Sequence, residues 1–274
     1  VGKSTLLAAL AASWRRAGQS VGILAVDPTS PFSGGALLGD RIRMGALGQD
    51  PDVFIRSLAS RGAMGGLSAA VHDAADVLEA AGFDPVLVET VGVGQAEVEI
   101  AGAADTTVLV LAPGGGDEIQ AMKAGLLEAA DLIVVNQADR RDAAQMVEGL
   151  RAGLALGDRT APPILCTIAT RGEGVEELRE ALDARTGSGH RVALLSRRLD
   201  RARRRLRGAV DAARARTFWA GREAALEEEA ARVARGGCLV GEAAARLIGS
   251  AGGREASDDG EDPEEREREG EEVR

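Results

Sequence analysis

The first 185 residues alternate short aliphatic runs with longer segments of mixed polarity. The apolar runs occupy positions 21–26, 53–55, 86–88, 106–111, 132–135 and 164–166. They are rich in Val, Ile and Leu and do not alternate with polar residues, the pattern of strands buried on both faces of a parallel sheet. Between them, 4–16, 66–81, 95–101, 118–129, 141–155 and 175–183 read as helices. Strand–helix repetition on this scale predicts βαβ units with right-handed crossovers, hence an α/β fold with a doubly wound, mostly parallel sheet. Ligands in such sheets sit at the carboxyl ends of the strands. The Gly-Ser-Gly stretch at 187–189 closes this domain, which is expected to span residues 1–186.

Beyond it the pattern turns helical. Leu195, Leu199, Ala202, Leu206, Val210 and Ala213 recur every three or four residues on a segment otherwise dense with arginine. Such spacing predicts an apolar seam along one helix face, to be packed on the same chain or on a second copy. Nine arginines fall between positions 197 and 216. No aromatic residue interleaves them to stack on bases, so they read as a solvated face and no nucleic-acid partner is expected. Segments 225–235 and 241–248 predict two further short helices, giving a helical extension over 187–250. The remainder, 251–274, is mostly Gly, Ser, Asp, Glu and Arg and is expected to be a disordered tail.

Composition changes this picture in three places. The formal net charge is −10. Positions 254–274 hold 11 acidic and 4 basic residues, so this tail carries most of it and the acidic balance says little about partners. Two cysteines without a CxxC pair exclude a disulfide framework and a cysteine zinc finger, and suit a reducing cytosol. No apolar run approaches the roughly 18 residues of a membrane span, so no membrane partner and a cytoplasmic location are expected. Among 33 basic residues only Lys3 and Lys123 are lysines. A chain that avoids lysine so strongly is expected to keep it where arginine cannot serve.

Candidate chemistry begins at the first residue. Val1-Gly2-Lys3-Ser4-Thr5 is the second half of a phosphate-binding GxxxxGK[ST] loop leading into a helix. Backbone N–H groups cradle the phosphates, the lysine reaches the β and γ oxygens, and the Ser4 hydroxyl completes a Mg²⁺ shell. The first four residues of that loop and the strand that would feed it are missing from this sequence, so it reads as N-terminally truncated. The strand at 21–26 ends in Asp27, and a Pro/Gly-rich stretch leads on to Asp40. A strand at 86–88 runs into Glu89-Thr90-Val91-Gly92-Val93-Gly94-Gln95, a carboxylate with a glycine three residues on, as in a γ-phosphate sensor. Asn136-Gln137-Ala138-Asp139 follows the strand at 132–135 where GTP-binding proteins carry NKxD. Asp139 would accept guanine's N–H and amino donors. Gln137 replaces the lysine whose stem covers the base, so guanine preference with weakened affinity is expected. Thr167-Ile168-Ala169 stands where backbone N–H groups donate to guanine.

These motifs resemble the GTPases associated with methylmalonyl-CoA mutase, the MeaB/ArgK family. The most specific strings are Leu24-Ala25-Val26-Asp27-Pro28, then Ser30-Pro31-Phe32-Ser33-Gly34-Gly35 and Leu38-Gly39-Asp40-Arg41. The switch at 89–95 and Pro113-Gly114-Gly115-Gly116-Asp117-Glu118 are as telling. The resemblance runs to about residue 248 and implies a P-loop G domain of the SIMIBI type with a helical dimerisation extension. It implies a homodimer that hydrolyses GTP to GDP and escorts an adenosylcobalamin-dependent acyl-CoA mutase, touching cobalamin only through that partner. Gly2, Lys3, Ser4 and Thr5 would bind phosphate, with Asn136, Asp139, Thr167, Ile168 and Ala169 at the base. Ser4, Asp27, Asp40 and Glu89 would surround Mg²⁺ and the attacking water, Lys3, Asp40 and Glu89 being catalytic. Gly114, Gly115, Gly116, Asp117, Gln120 and Lys123 would form a switch that senses the mutase.

Three other readings compete. A nickel-insertion GTPase would need a metal-handling cluster, and the two histidines, His72 and His190, lie near no cysteine in sequence. A kinase-type ATPase linked to amino-acid transport would need a protein-substrate site that no motif suggests. A catalytically degraded nucleotide-binding scaffold would fit the half P-loop and Gln137.

Overall fold

The computed structural model describes residues 1–27, 45–59, 69–90, 104–114, 126–155, 160–186 and 191–249. The chain divides into two compact units, Val1–Arg201 and Ala202–Arg274. In the first, helix α1 (Lys3–Arg16) is followed by strands β1 (Val21–Asp27) and β2 (Val53–Ala59), then α2 (Ala69–Ala80) and β3 (Val86–Thr90). Next come β4 (Val108–Leu111), α3 (Leu126–Ala129), β5 (Leu132–Asn136), α4 (Ala143–Leu154), β6 (Ile164–Thr167) and α5 (Val175–Thr186). A 3₁₀ turn at Gly45–Gln49 precedes β2. Each of the six apolar runs contains a strand, and among the described residues every pairing between these strands is parallel.

Burial explains why those runs do not alternate. Val21 and Ile23 of β1 point into a core under α1, together with Leu6, Leu10, Ala11 and Trp14 of that helix. Leu24 and Val26, on the other face, pack beneath Val71 and Leu78 of α2. Strand β5 repeats the arrangement: Leu132 and Val134 join the α1 core, while Ile133 and Val135 meet Met146, Val147 and Leu150 of α4. Both faces of both strands are therefore covered, and each such side chain contributes roughly 1.5–3 kcal/mol. The result is a three-layer α/β sandwich.

One feature departs from the single sheet expected. The described strands form two three-stranded sheets, β2-β1-β3 and β4-β5-β6, and β3 and β4 do not pair with each other. Helix α1 spans both, since its core includes residues of β1, β2 and β5 as well as Val175 and Leu178 of α5. The N-terminal residues lie at the junction. The Val1 carbonyl is bonded from Asn136 of β5, and Ser4 is bonded to Glu89 of β3.

Helix α6 (Arg191–Trp219) begins in the first unit and continues in the second, which also holds α7 (Glu223–Ala234) and α8 (Val240–Gly249). Ala243 and Leu247 of α8 are buried, and Arg246 bonds both carboxylate oxygens of Glu229 in α7. Among the described residues no helix is long and apolar enough to cross a membrane. The tail after 250 lies outside the described residues.

The start of α6 is fastened at the amino ends of β4 and β5. Arg197 grips Asp131 with two bonds, of 2.7 and 2.9 Å, and Arg185 and the Thr107 amide share the same carboxylate. Arg198 and Arg201 bond Asp105. Three of the arginines read from sequence as a solvated face are thus ion-paired. Burial alone would push the Asp131 carboxyl up, but the bonds from Arg197 and Thr107 outweigh it and hold the group below its ordinary value. A depressed folded-state value stabilises the protein above the unfolded value of about 3.9, and that stability is lost as pH falls through the folded value. Asp131→Asn should therefore cost about 2 kcal/mol in urea unfolding at pH 7. It should also flatten the stability loss below about pH 4; an unchanged acid limb would remove Asp131 as its source.

Candidate functional site

The phosphate-facing corner is built where α1 starts. Gly2 is left-handed, with φ +83°, and Lys3 is the first helical residue. A Cβ on Gly2 would lie 2.8 Å from Asn136 Nδ2, so conformation and space both require glycine there. The turn aims the amino end of a 14-residue helix at the corner, where unsatisfied N–H groups and the helix dipole favour an anion. Lys3 and Ser4 stand at that end, half-buried, and Thr5 is exposed beside them.

The Ser4 hydroxyl donates to Glu89 Oε1 at 2.6 Å. Glu89 pairs across the sheet with Ala25, two residues before Asp27, so both acids belong to the carboxyl ends of adjacent strands. Magnesium takes oxygen ligands at 2.0–2.1 Å in an octahedron, which sets neighbouring ligand oxygens about 2.9 Å apart. A hydroxyl and a carboxylate oxygen already in contact fit that donor set. The backbone of Asp27 ends β1, but its side chain lies outside the described residues. So do Asp40, the switch glycines Gly92 and Gly94, and Gly115, Gly116, Asp117, Gln120 and Lys123.

The second corner is held by Asn136, which is only 3% exposed. Its Nδ2 donates to the Val1 carbonyl at 3.0 Å. Its Oδ1 accepts from the Thr167 hydroxyl and the Ala169 amide, each at 3.1 Å. One side chain thereby joins the start of the phosphate loop to the loop after β6. The Ala138 amide adds a bond to the Thr167 carbonyl. The Ile168 amide donates to the Glu173 carbonyl at 2.9 Å. Ile168 and Ala169, expected from sequence to offer their N–H groups to a base, thus spend them within the protein in this structure. Asp139 and Arg171 approach to 4.0 Å, and Glu173 holds the same arginine at 2.8 Å.

The structure brings Gly2, Lys3, Ser4, Glu89, Asn136, Asp139, Thr167, Ile168 and Ala169 to one end of the sheets. Gly114, whose sequence signal was only its place in a glycine run, also reaches this end: a Cβ there would lie 2.6 Å from Arg140 Nη2. Sequence reasoning passed over Arg140 and Arg171, because arginine is so abundant here that neither stood out.

The amide of Asn136 makes three bonds while shielded from water, and truncation strands their partners. Asn136→Ala should cost about 2–4 kcal/mol in urea unfolding, whereas Thr167→Val should cost about 1 kcal/mol. Equal costs for the two would mean that neither the bond to Val1 nor that from Ala169 contributes.

A family model described as "Methylmalonyl Co-A mutase-associated GTPase MeaB" matches residues 1–222. A Pyrococcus horikoshii protein, provisionally named as a GTPase, is 54% identical over 187 residues, which is 66% of this chain and 59% of that protein. "GTPase ArgK" of Escherichia coli is 47% identical over 138 residues, 50% of this chain and 42% of that protein. The mouse "Methylmalonic aciduria type A homolog, mitochondrial" is 38% identical over 184 residues, 65% of this chain and 44% of that protein. The chain thus spans less than two thirds of the length of these relatives.

Proposed function

The chain belongs to the methylmalonyl-CoA mutase-associated GTPase family, MeaB, and from that premise we propose that it binds GTP with Mg²⁺ and hydrolyses it to GDP and phosphate. The observation that carries this reading is the convergence at one sheet end of Ser4, Glu89 and Asn136, from three separated motifs. Lys3 and the amino end of α1 hold the β- and γ-phosphates. Ser4 and Glu89, with Asp27 and Asp40, hold the cation or its water. Mg²⁺, when bound, offsets the phosphate charge that builds as the γ-phosphoryl group departs. Glu89 orients the attacking water, and Asp139 accepts the donor pair that guanine has and adenine lacks.

On the same premise the chain serves an adenosylcobalamin-dependent acyl-CoA mutase, and its hydrolysis accompanies loading and protection of that partner's cofactor. The segment 114–123, with Gln120 and Lys123, senses the mutase. The protein acts as a homodimer through its C-terminal helices. What supports the dimer is the α6 stripe: Leu195, Leu199, Leu206 and Val210 are each about half exposed or more in the single chain. A row of that kind along one helix face is a surface to be covered.

Two variants test the nucleotide reading. Lys3→Ala should abolish measurable GTP binding in calorimetry, and unchanged affinity would sink the phosphate assignment. Asp139→Asn replaces two acceptor bonds with an amide able to donate to the 2-oxo group of xanthine. It should lower GTP affinity at least about 100-fold while improving that for xanthosine triphosphate. An equal loss for both nucleotides would mean that Asp139 does not read the base. For the escort reading, GTP turnover is measured with and without the mutase; turnover indifferent to the mutase would overturn it.

A further inference from the structure

Residues 137–142 contain a contact that neither the phosphate site nor base reading accounts for. Gln137 is left-handed, with φ +57°, and among the described residues it is the one non-glycine residue with positive φ. L-residues other than glycine, Asn and Asp rarely adopt this region, so a glutamine there is held by its surroundings. Beside the bond from the Ala138 amide to the Thr167 carbonyl, two of the bonds that hold it come from Arg140. Its amide donates to the Gln137 carbonyl at 3.1 Å, closing the turn, and its Nη1 donates to Gln137 Oε1 at 3.4 Å. Its guanidinium lies 3.7 Å from Asp142 and reaches across to the turn after β4. There Gly114 is itself left-handed, with φ +78°. A Cβ at Gly114 would sit 2.6 Å from Arg140 Nη2 and 3.2 Å from Asp142 Oδ2, so the guanidinium occupies the space that any side chain would need.

We propose that Arg140 is a positioning residue: it braces the Gln137 turn against Gly114, so that the aim of Asp139 and the place of the Gly114 turn are set by one side chain. The proposal rests on guanine reading by Asp139. That carboxylate lies two residues beyond Gln137, so relaxation of Gln137 to an ordinary backbone conformation swings it off the base edge. The Gly114 turn communicates with the base pocket by the same route, because whatever displaces the guanidinium at one end releases the glutamine at the other.

The test compares GDP with inosine diphosphate, which lacks guanine's 2-amino donor, by equilibrium titration of the full chain. Arg140→Ala should lower GDP affinity about tenfold and should lower the GDP-to-IDP affinity ratio. Gln137→Gly in that background should restore both, since glycine takes φ near +57° without a brace. Gly114→Ala, whose methyl would meet the guanidinium, should weaken GDP binding more in the parent chain than in the Arg140→Ala background, the backbone strain at φ +78° being common to both. Should Arg140→Ala fail to fold, Arg140→Lys carries the same expectation, because one ammonium cannot span both contacts. A merely structural ion pair would move the thermal midpoint and leave the GDP-to-IDP ratio alone; that result, or additive losses from Arg140→Ala and Gly114→Ala, overturns the brace. A parent chain that binds neither diphosphate overturns guanine reading together with the brace. One that binds GDP selectively while the variants match it overturns the brace alone.

Discussion

The side-chain amide of Asn136 has one donor end and one carbonyl, and the fold uses both to hold three pieces of chain together. Its NH₂ fixes the Val1 carbonyl, and its oxygen takes the Thr167 hydroxyl and the Ala169 amide. These bonds are shielded from water, so breaking any of them strands a partner at a cost of about 1–3 kcal/mol. An aspartate could not replace it, having no donor for the Val1 carbonyl. The constraint propagates to Gly2, because the same NH₂ occupies the space where a Cβ would lie. Asn136 and Gly2 thus constrain each other.

That node can be exact only because the strands behind it cannot shift. β1 and β5 are buried on both faces, and α1 lies across the two sheets. A register slip would have to lift several fully buried side chains out of packed cores at once. Fastening by charge happens at the other end of the strands. Asp105 and Asp131 lie before β4 and β5 and receive Arg197, Arg198 and Arg201 from the first turns of α6. The proposed nucleotide chemistry and the attachment of the long helix therefore use opposite ends of the same strands, and changes at one need not disturb the other.

Gln137, which stands where the NKxD motif carries lysine, is also a matter of backbone. Position 137 is left-handed, and Arg140 bonds both its carbonyl and its side chain. An arginine-rich chain has many guanidinium groups to place, and each with a local acceptor becomes part of the scaffold. Among the described residues, the carboxylates Asp50, Asp105, Asp131, Glu176 and Glu229 are all held below their ordinary values by such partners; for Asp105 and Asp131 this happens despite burial.

The sequence by itself determined the strands, most of the helices and the family. Aliphatic runs without alternation can only be strands covered on both faces, and Gly2-Lys3-Ser4 before an apolar helical stripe marks an anion-binding helix start. The stripe from Leu195 to Ala213 likewise marked α6, because a three-to-four spacing has one helical reading. Only the tertiary structure decided which groups meet. It brought Ser4 to Glu89 across 85 positions and spent the amides of Ile168 and Ala169 inside the protein. It also placed the described strands in two sheets, and gave Arg140, Arg197, Arg198 and Arg201 partners that no local pattern announces. The physical reason is one of range. Periodicity and turn chemistry are local and written residue by residue, whereas a hydrogen bond or a steric limit depends on where distant backbones finally come to rest.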